Sequence, residues 1–183
     1  MEGKRGSGRA GADMIGQCVQ AAVLAVSIVL GAAMPHTDAE ALSGKKIVLP
    51  DAVNGRPTIV VIGFTKRSQS QTSAWSAQLT KDYANEPRLQ RYSIAVLDDV
   101  PSLIRGMVTS SISRRVPKDQ QDTFIVLTHD AKPWRDLASI TNADDAYVIL
   151  FDDTAHVVAQ THGSVEEAYA PLQKEIQALL KQP

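Results

Sequence analysis

Serines, histidines and paired carboxylates are the residues of this chain whose types could support chemistry. Ser68 and Ser70 lie in a polar loop, Lys66-Arg67-Ser68-Gln69-Ser70-Gln71, between an apolar run and an amphipathic stretch. A serine hydroxyl is a weak nucleophile until a base takes its proton, and no spacing brings His129, His156 or His162 toward the loop. The hydroxyls read instead as helix-capping groups, since Ser68 followed by Gln71 has the spacing of a capping box. The same histidines with Asp130, Asp144 and Asp145 show neither H-x-x-x-H nor H-E-x-x-H spacing, so they read as solvated loop residues and no metal or cofactor is expected. Asp98-Asp99 and Asp152-Asp153 each close an apolar run, where aspartate commonly begins a turn or cap. What remains is a binding possibility. Lys66, Arg67, Gln69 and Gln71 are four long polar side chains at the mouth of a helix N-terminus, a place that suits an anion or a peptide carboxylate.

The elements that must position this loop follow from periodicity. Thr58 to Phe64 is an unbroken, mostly β-branched run, as in a strand covered on both faces. Trp75, Leu79 and Tyr83 recur every four residues after the loop and predict a helix with a core face. Tyr92 to Leu97 then supplies a second strand, and a strand, helix and strand in about forty residues make a right-handed βαβ unit with parallel strands. Asp99 is placed to cap a helix with Pro101 in its first turn and an apolar face of Leu103, Ile104, Met107, Val108 and Ile112. Thr123 to Thr128 is a third strand, and Trp134 to Ile140 reads as irregular or a short helix. Ala146 to Phe151 and His156 to Gln160, separated by four polar or small residues, predict a β-hairpin. Ser164 with Glu167 opens a terminal helix whose face is Val165, Tyr169, Leu172, Ile176 and Leu179. Upstream, Leu42 to Leu49 reads as a lead-in hairpin or edge strand with a glycine turn.

The 183 residues suffice for one domain with a proper core. Residues 1–41 have the parts of a secretory leader: Lys4, Arg5 and Arg9, an apolar run from Val19 to Met34, and a polar stretch ending in Ala39-Glu40-Ala41, an A-x-A cleavage pattern. That run includes Gln20, Ser27 and Gly31 and falls short of the roughly 20 residues that span a bilayer, so a membrane contact is expected only if the leader stays uncleaved. The expectation is a leader over 1–41, one domain over 42–183, and an extracytoplasmic, periplasmic or secreted product. Its only cysteine, Cys18, would leave with the leader, which removes disulfides and thiol catalysis together. The net charge of −1 carries no basic stripe of the kind nucleic acid requires.

The order of elements resembles the thioredoxin-like fold in its extracytoplasmic redoxin form. The residues that carry this are LSGKKIVLPDAVNGRPTIVVIGF, FIVLTHDAKPW and AYVILFDDTAHVVAQTHGS. The resemblance implies an α/β domain with a mixed central sheet, helices on both faces and an N-terminal lead-in hairpin. In that family a reactive cysteine sits at the helix N-terminus after the first core strand, where the macrodipole favours a thiolate. This chain has Arg67 to Thr72 there, and Asp145-Ala146-Tyr147 where the family has a cis-proline. The corner is also similar to that of thioredoxin-like proteins without these cysteines, including a mitochondrial ATP-synthase assembly-factor family. These readings imply a redox-inactive module that binds a protein or peptide partner in extracytoplasmic assembly or folding, with Lys66, Arg67, Ser68, Gln69, Ser70, Gln71 and Ala146 at the binding face. The alternatives are an enzyme of non-thiol mechanism, or a small-molecule binding domain, using the same corner.

Overall fold

Five consecutive buried residues, Thr58 to Ile62, make strand β3 (Thr58–Gly63) the centre of the molecule, because both faces of so apolar a strand must be covered. In the computed structural model, which describes residues 31–53 and 55–181, β3 pairs in parallel with β4 (Gln90–Val96) and antiparallel with β6 (Ala146–Phe151). Helix α1 (Gln69–Tyr83) makes the crossover from β3 to β4. Beyond β4 lies β5 (Phe124–Leu127), again parallel, and beyond β6 lies β7 (Val157–His162), antiparallel. With the hairpin strands β1 (Thr37–Ala41) and β2 (Lys46–Leu49), the mixed sheet runs β2-β1-β5-β4-β3-β6-β7.

Alternation along the strands divides the core in two. Ile59, Val61, Val148 and Leu150 meet Trp75, Leu79 and Tyr83 of α1 and Ala168, Leu172 and Ile176 of the terminal helix α4 (Val165–Leu180). On the other face Val60, Ile62, Ile94, Ile125, Ile149 and Phe151 meet Leu49 of the hairpin and Trp134 and Leu137 of α3 (Lys132–Ala138). Each such aliphatic side chain, fully buried, contributes about 1.5–3 kcal/mol, which is why these two layers decide the fold.

The structure corrects several sequence expectations. The boundary at 41/42 falls inside the sheet: Thr37–Ala41 is β1, flanked by β2 and β5, so the folded unit includes residues upstream of Leu42. Residues 1–30 of the expected leader, Cys18 among them, lie outside the described residues. Helix α2 (Ser102–Ser113) is present but buries no residue; Leu103 is 96% exposed and Met107 72%. Among the described residues nothing buries its apolar stripe, since α1 and α4 pack on one face of the sheet and α3 on the other. Pro101, not Asp99, occupies the N-cap of α2. Trp134 to Ile140 contributes the short helix α3, and β7 runs two residues further than expected, to His162.

Candidate functional site

The parallel strands β3, β4 and β5 all end at one edge of the sheet, where β6 begins and β7 finishes. In open α/β sheets the crevice outside the carboxyl ends of the strands is the usual place for a binding site. Here that edge is filled by the chain's own polar groups. The Thr65 hydroxyl donates to Asp144 Oδ1 at 2.8 Å and accepts from the Arg67 N–H at 3.1 Å. Arg67 Nη1 donates to Asp144 Oδ2, also at 3.1 Å. The Thr65 hydroxyl, and after it the Arg67 guanidinium, hold the Asp144 carboxyl below its usual range. The turn after β3 is thereby tied to the loop before β6, 79 residues away in sequence.

Ser68, at the N-cap of α1, is fully buried, and its hydroxyl donates back to the Thr65 carbonyl at 2.9 Å without capping the helix. Gln71 does not complete a capping box either: its Oε1 accepts from the Ala146 N–H at 2.8 Å. The Ala146 carbonyl accepts from the Gly163 N–H at 2.9 Å. Ala146 is completely buried, and both its backbone groups are hydrogen-bonded within the corner. Gln69 is half-buried, with its carbonyl engaged by the Thr72 hydroxyl. Lys66, Arg67 and Ser70 remain exposed, Arg67 by 84% of its side chain. Of the seven candidates, then, three lie on the surface and three, Ser68, Gln71 and Ala146, bind the corner to itself.

Sequence reasoning missed two sets of contacts beside these residues. Arg135 on α3 donates to Asp98 Oδ1 at 2.6 Å and Asp99 Oδ2 at 2.8 Å, and its guanidinium stands 5.4 Å over the Phe64 ring. His162 pairs through Nδ1 with Asp145 Oδ2 at 2.9 Å and stacks on Tyr147, ring centroids 5.2 Å apart. Only the Asp98-Asp99 doublet and the Asp144-Asp145 doublet signalled these contacts in the sequence. Ser68 and Ser70 make no hydrogen bond to a histidine among the described residues. His129 pairs with neighbouring Asp130 at 2.8 Å and His156 with Thr154 at 3.0 Å. Among the described residues no group of three or more side chains is arranged to hold a metal ion. Cavities of about 440 and 290 Å³ lie away from the corner, one lined by Lys81, Tyr83 and Leu180, the other by Pro50 and Asp153.

No protein-family model and no curated protein matches the chain. Solved structures do. A protein assigned as thiol:disulfide interchange protein DsbE from Chlorobium tepidum superposes with a TM-score of 0.61 at 17% identity, over 84% of this chain and 99% of that one. The thioredoxin domain of a thiol-disulfide oxidoreductase from Bacteroides vulgatus gives 0.56 at 18% identity, over 81% and 98%. A member of the Sco family of cytochrome c oxidase assembly proteins gives 0.58 at 12% identity, over 84% and 96%. Likeness at such identities speaks for the path of the backbone alone, and it assigns this chain the thioredoxin-like fold.

Proposed function

We propose that the chain is an exported, redox-inactive thioredoxin-like module that binds a protein or peptide partner in extracytoplasmic assembly or folding. A single cysteine, Cys18, cannot form an intrachain disulfide, and it lies far from the corner in sequence. The observation that carries the reading is the Thr65–Asp144–Arg67 network, which fills the corner where the fold's thiol chemistry would reside, pairs Arg67 with Asp144 at the surface and leaves the Lys66 side chain exposed beside it. Because the Ala146 backbone is saturated, recognition runs through side chains and not through addition of a strand. A segment carrying carboxylates is the matching chemistry. The Sco-family neighbour, described as a cytochrome c oxidase assembly protein, supports the assembly role. A pocket enzyme is the weaker reading, since the two cavities named above lie elsewhere.

The test is a photo-crosslinking residue placed at Lys66 and, as a control, at Lys174 on the exposed side of α4. Crosslinks to a discrete partner from position 66, lost on adding Arg67→Glu and missing from position 174, are expected. Equal labelling from both positions, or labelling that ignores Arg67→Glu, would overturn the assignment of the binding face.

A further inference from the structure

Strand β1 holds the hairpin to the sheet. Among the described residues β2 has no strand neighbour but β1, which pairs with it from Thr37↔Leu49 to Glu40↔Lys46 and with β5 at Glu40↔Val126 and Ala41↔Ile125. Met34, Thr37 and Ala41 are buried at 4%, 6% and 4% exposure. The Thr37 hydroxyl accepts the buried Trp134 indole N–H at 2.8 Å. A chain starting at Leu42 would lose the strand that joins β2 to β5 and leave that indole N–H without its acceptor. Ala39-Glu40-Ala41 therefore has the letters of a leader cleavage site and the position of an interior strand.

Eight residues upstream the situation is reversed. Gly31 and Ala33 are exposed, small, and spaced as the −3 and −1 positions that leader cleavage requires, within the last residues of the apolar run. What Gly31 to Ala33 contribute is slight: Gly31 N–H to the Val157 carbonyl and Val157 N–H to the Ala32 carbonyl, both 2.9 Å, plus a bridge between Ala33 and His156. The Met34 nitrogen itself donates to the Ala155 carbonyl at 2.8 Å, a bond that a free amino terminus also makes.

We infer that the leader is removed by hydrolysis of the Ala33–Met34 peptide bond and that Met34 to Ala41 stays in the mature protein as part of the sheet. A leader peptidase adds water across that bond, leaving a carboxylate on Ala33 and an amine on Met34. This rests on the export reading above. The full chain, expressed in an export-competent Gram-negative host, is recovered from the envelope and its N-terminus sequenced. A product beginning at Met34 is expected; Ala33→Gln abolishes it and Ala39→Gln leaves it in place. An exported product beginning at Leu42, or anywhere beyond Thr37, overturns the inference, as does loss of processing in Ala39→Gln. A full-length product anchored in the envelope overturns it while sparing the export reading. A full-length product confined to the cytoplasm sinks both.

Discussion

A methyl group on Gly63 would stand 2.7 Å from the Ser68 hydroxyl oxygen and 3.1 Å from Thr72 Cγ2, closer than unstrained carbon contacts allow. The last residue of β3 is thus a glycine because α1 folds back on it, not because its backbone needs glycine's freedom. Gly63→Ala should cost about 1–3 kcal/mol in denaturant unfolding, the usual penalty for overpacking. Ser68→Ala alone should cost about 1 kcal/mol through loss of the Thr65 hydrogen bond. The two changes together should cost clearly less than their sum, because the nearer clash is gone, and a double-mutant cycle reads that coupling. Strict additivity would mean that helix and strand separate freely at this point.

The second prediction concerns the unpartnered helix. Leu103→Ser with Met107→Ser should shift stability by no more than about ±0.5 kcal/mol despite removing two large apolar side chains, since both are exposed. Leu172→Ala, on the buried face of α4, should cost about 2–5 kcal/mol. Comparable losses at the two places, measured by urea unfolding, would show α2 packed against the body of the protein.

Third, Pro171 stands inside α4 on its solvent side, where a proline removes one i→i−4 hydrogen bond, that to the Glu167 carbonyl, and crowds the turn before it. Proline in a helix interior is about 3 kcal/mol less favourable than alanine. Pro171→Ala should therefore stabilise the protein, by about 1–3 kcal/mol once the helix's existing accommodation is counted. A lower melting temperature in the variant would refute this.

A fourth prediction follows from Asp144, whose carboxyl is depressed by the Thr65 hydroxyl and by Arg67. A carboxyl depressed in the folded state stabilises above its unfolded value of about 3.9, and that contribution is lost as pH falls through the folded value. The gap in melting temperature between the parent and Asp144→Asn should be constant near neutrality and should narrow below about pH 4. Because Arg67 is exposed, 1 M salt should shrink the Arg67 part of the gap while leaving the Thr65 hydrogen bond. A gap unchanged down to pH 2 would remove Asp144 from the network.

The sheet and both cores were legible because β-branched runs and four-residue spacing are local signals: Thr58 to Ile62, Trp75, Leu79, Leu172 and Ile176 all stand where their periodicity puts them. β1 was not legible. Thr-Asp-Ala-Glu-Ala has little β-propensity and is a strand because pairing on both sides compensates for it. The corner was half legible. Ser68 and Gln71 have capping-box spacing, yet Gln71 bonds Ala146, 75 residues on, and a partner so distant leaves no trace in a local pattern. For the same reason Thr65 went unremarked and Asp144 read only as a solvated loop carboxylate. The α2 stripe misled in the opposite direction, since periodicity marks a face able to be buried without saying whether a surface is free to receive it.

The place of α4 bears on when the molecule can fold. Ala168, Leu172 and Ile176 cover Ile59, Val61, Val148 and Leu150, so one of the two cores stays open to water until the last helix has been made. β1 likewise waits more than eighty residues for β5. Pairings this distant are slow to form because loop closure must precede them. A chain so arranged cannot complete its sheet and both cores until most of its length has been synthesised. A ribosome that stopped short of Val165 would release a sheet with one oily side bare, fit for proteolysis or aggregation and for little else.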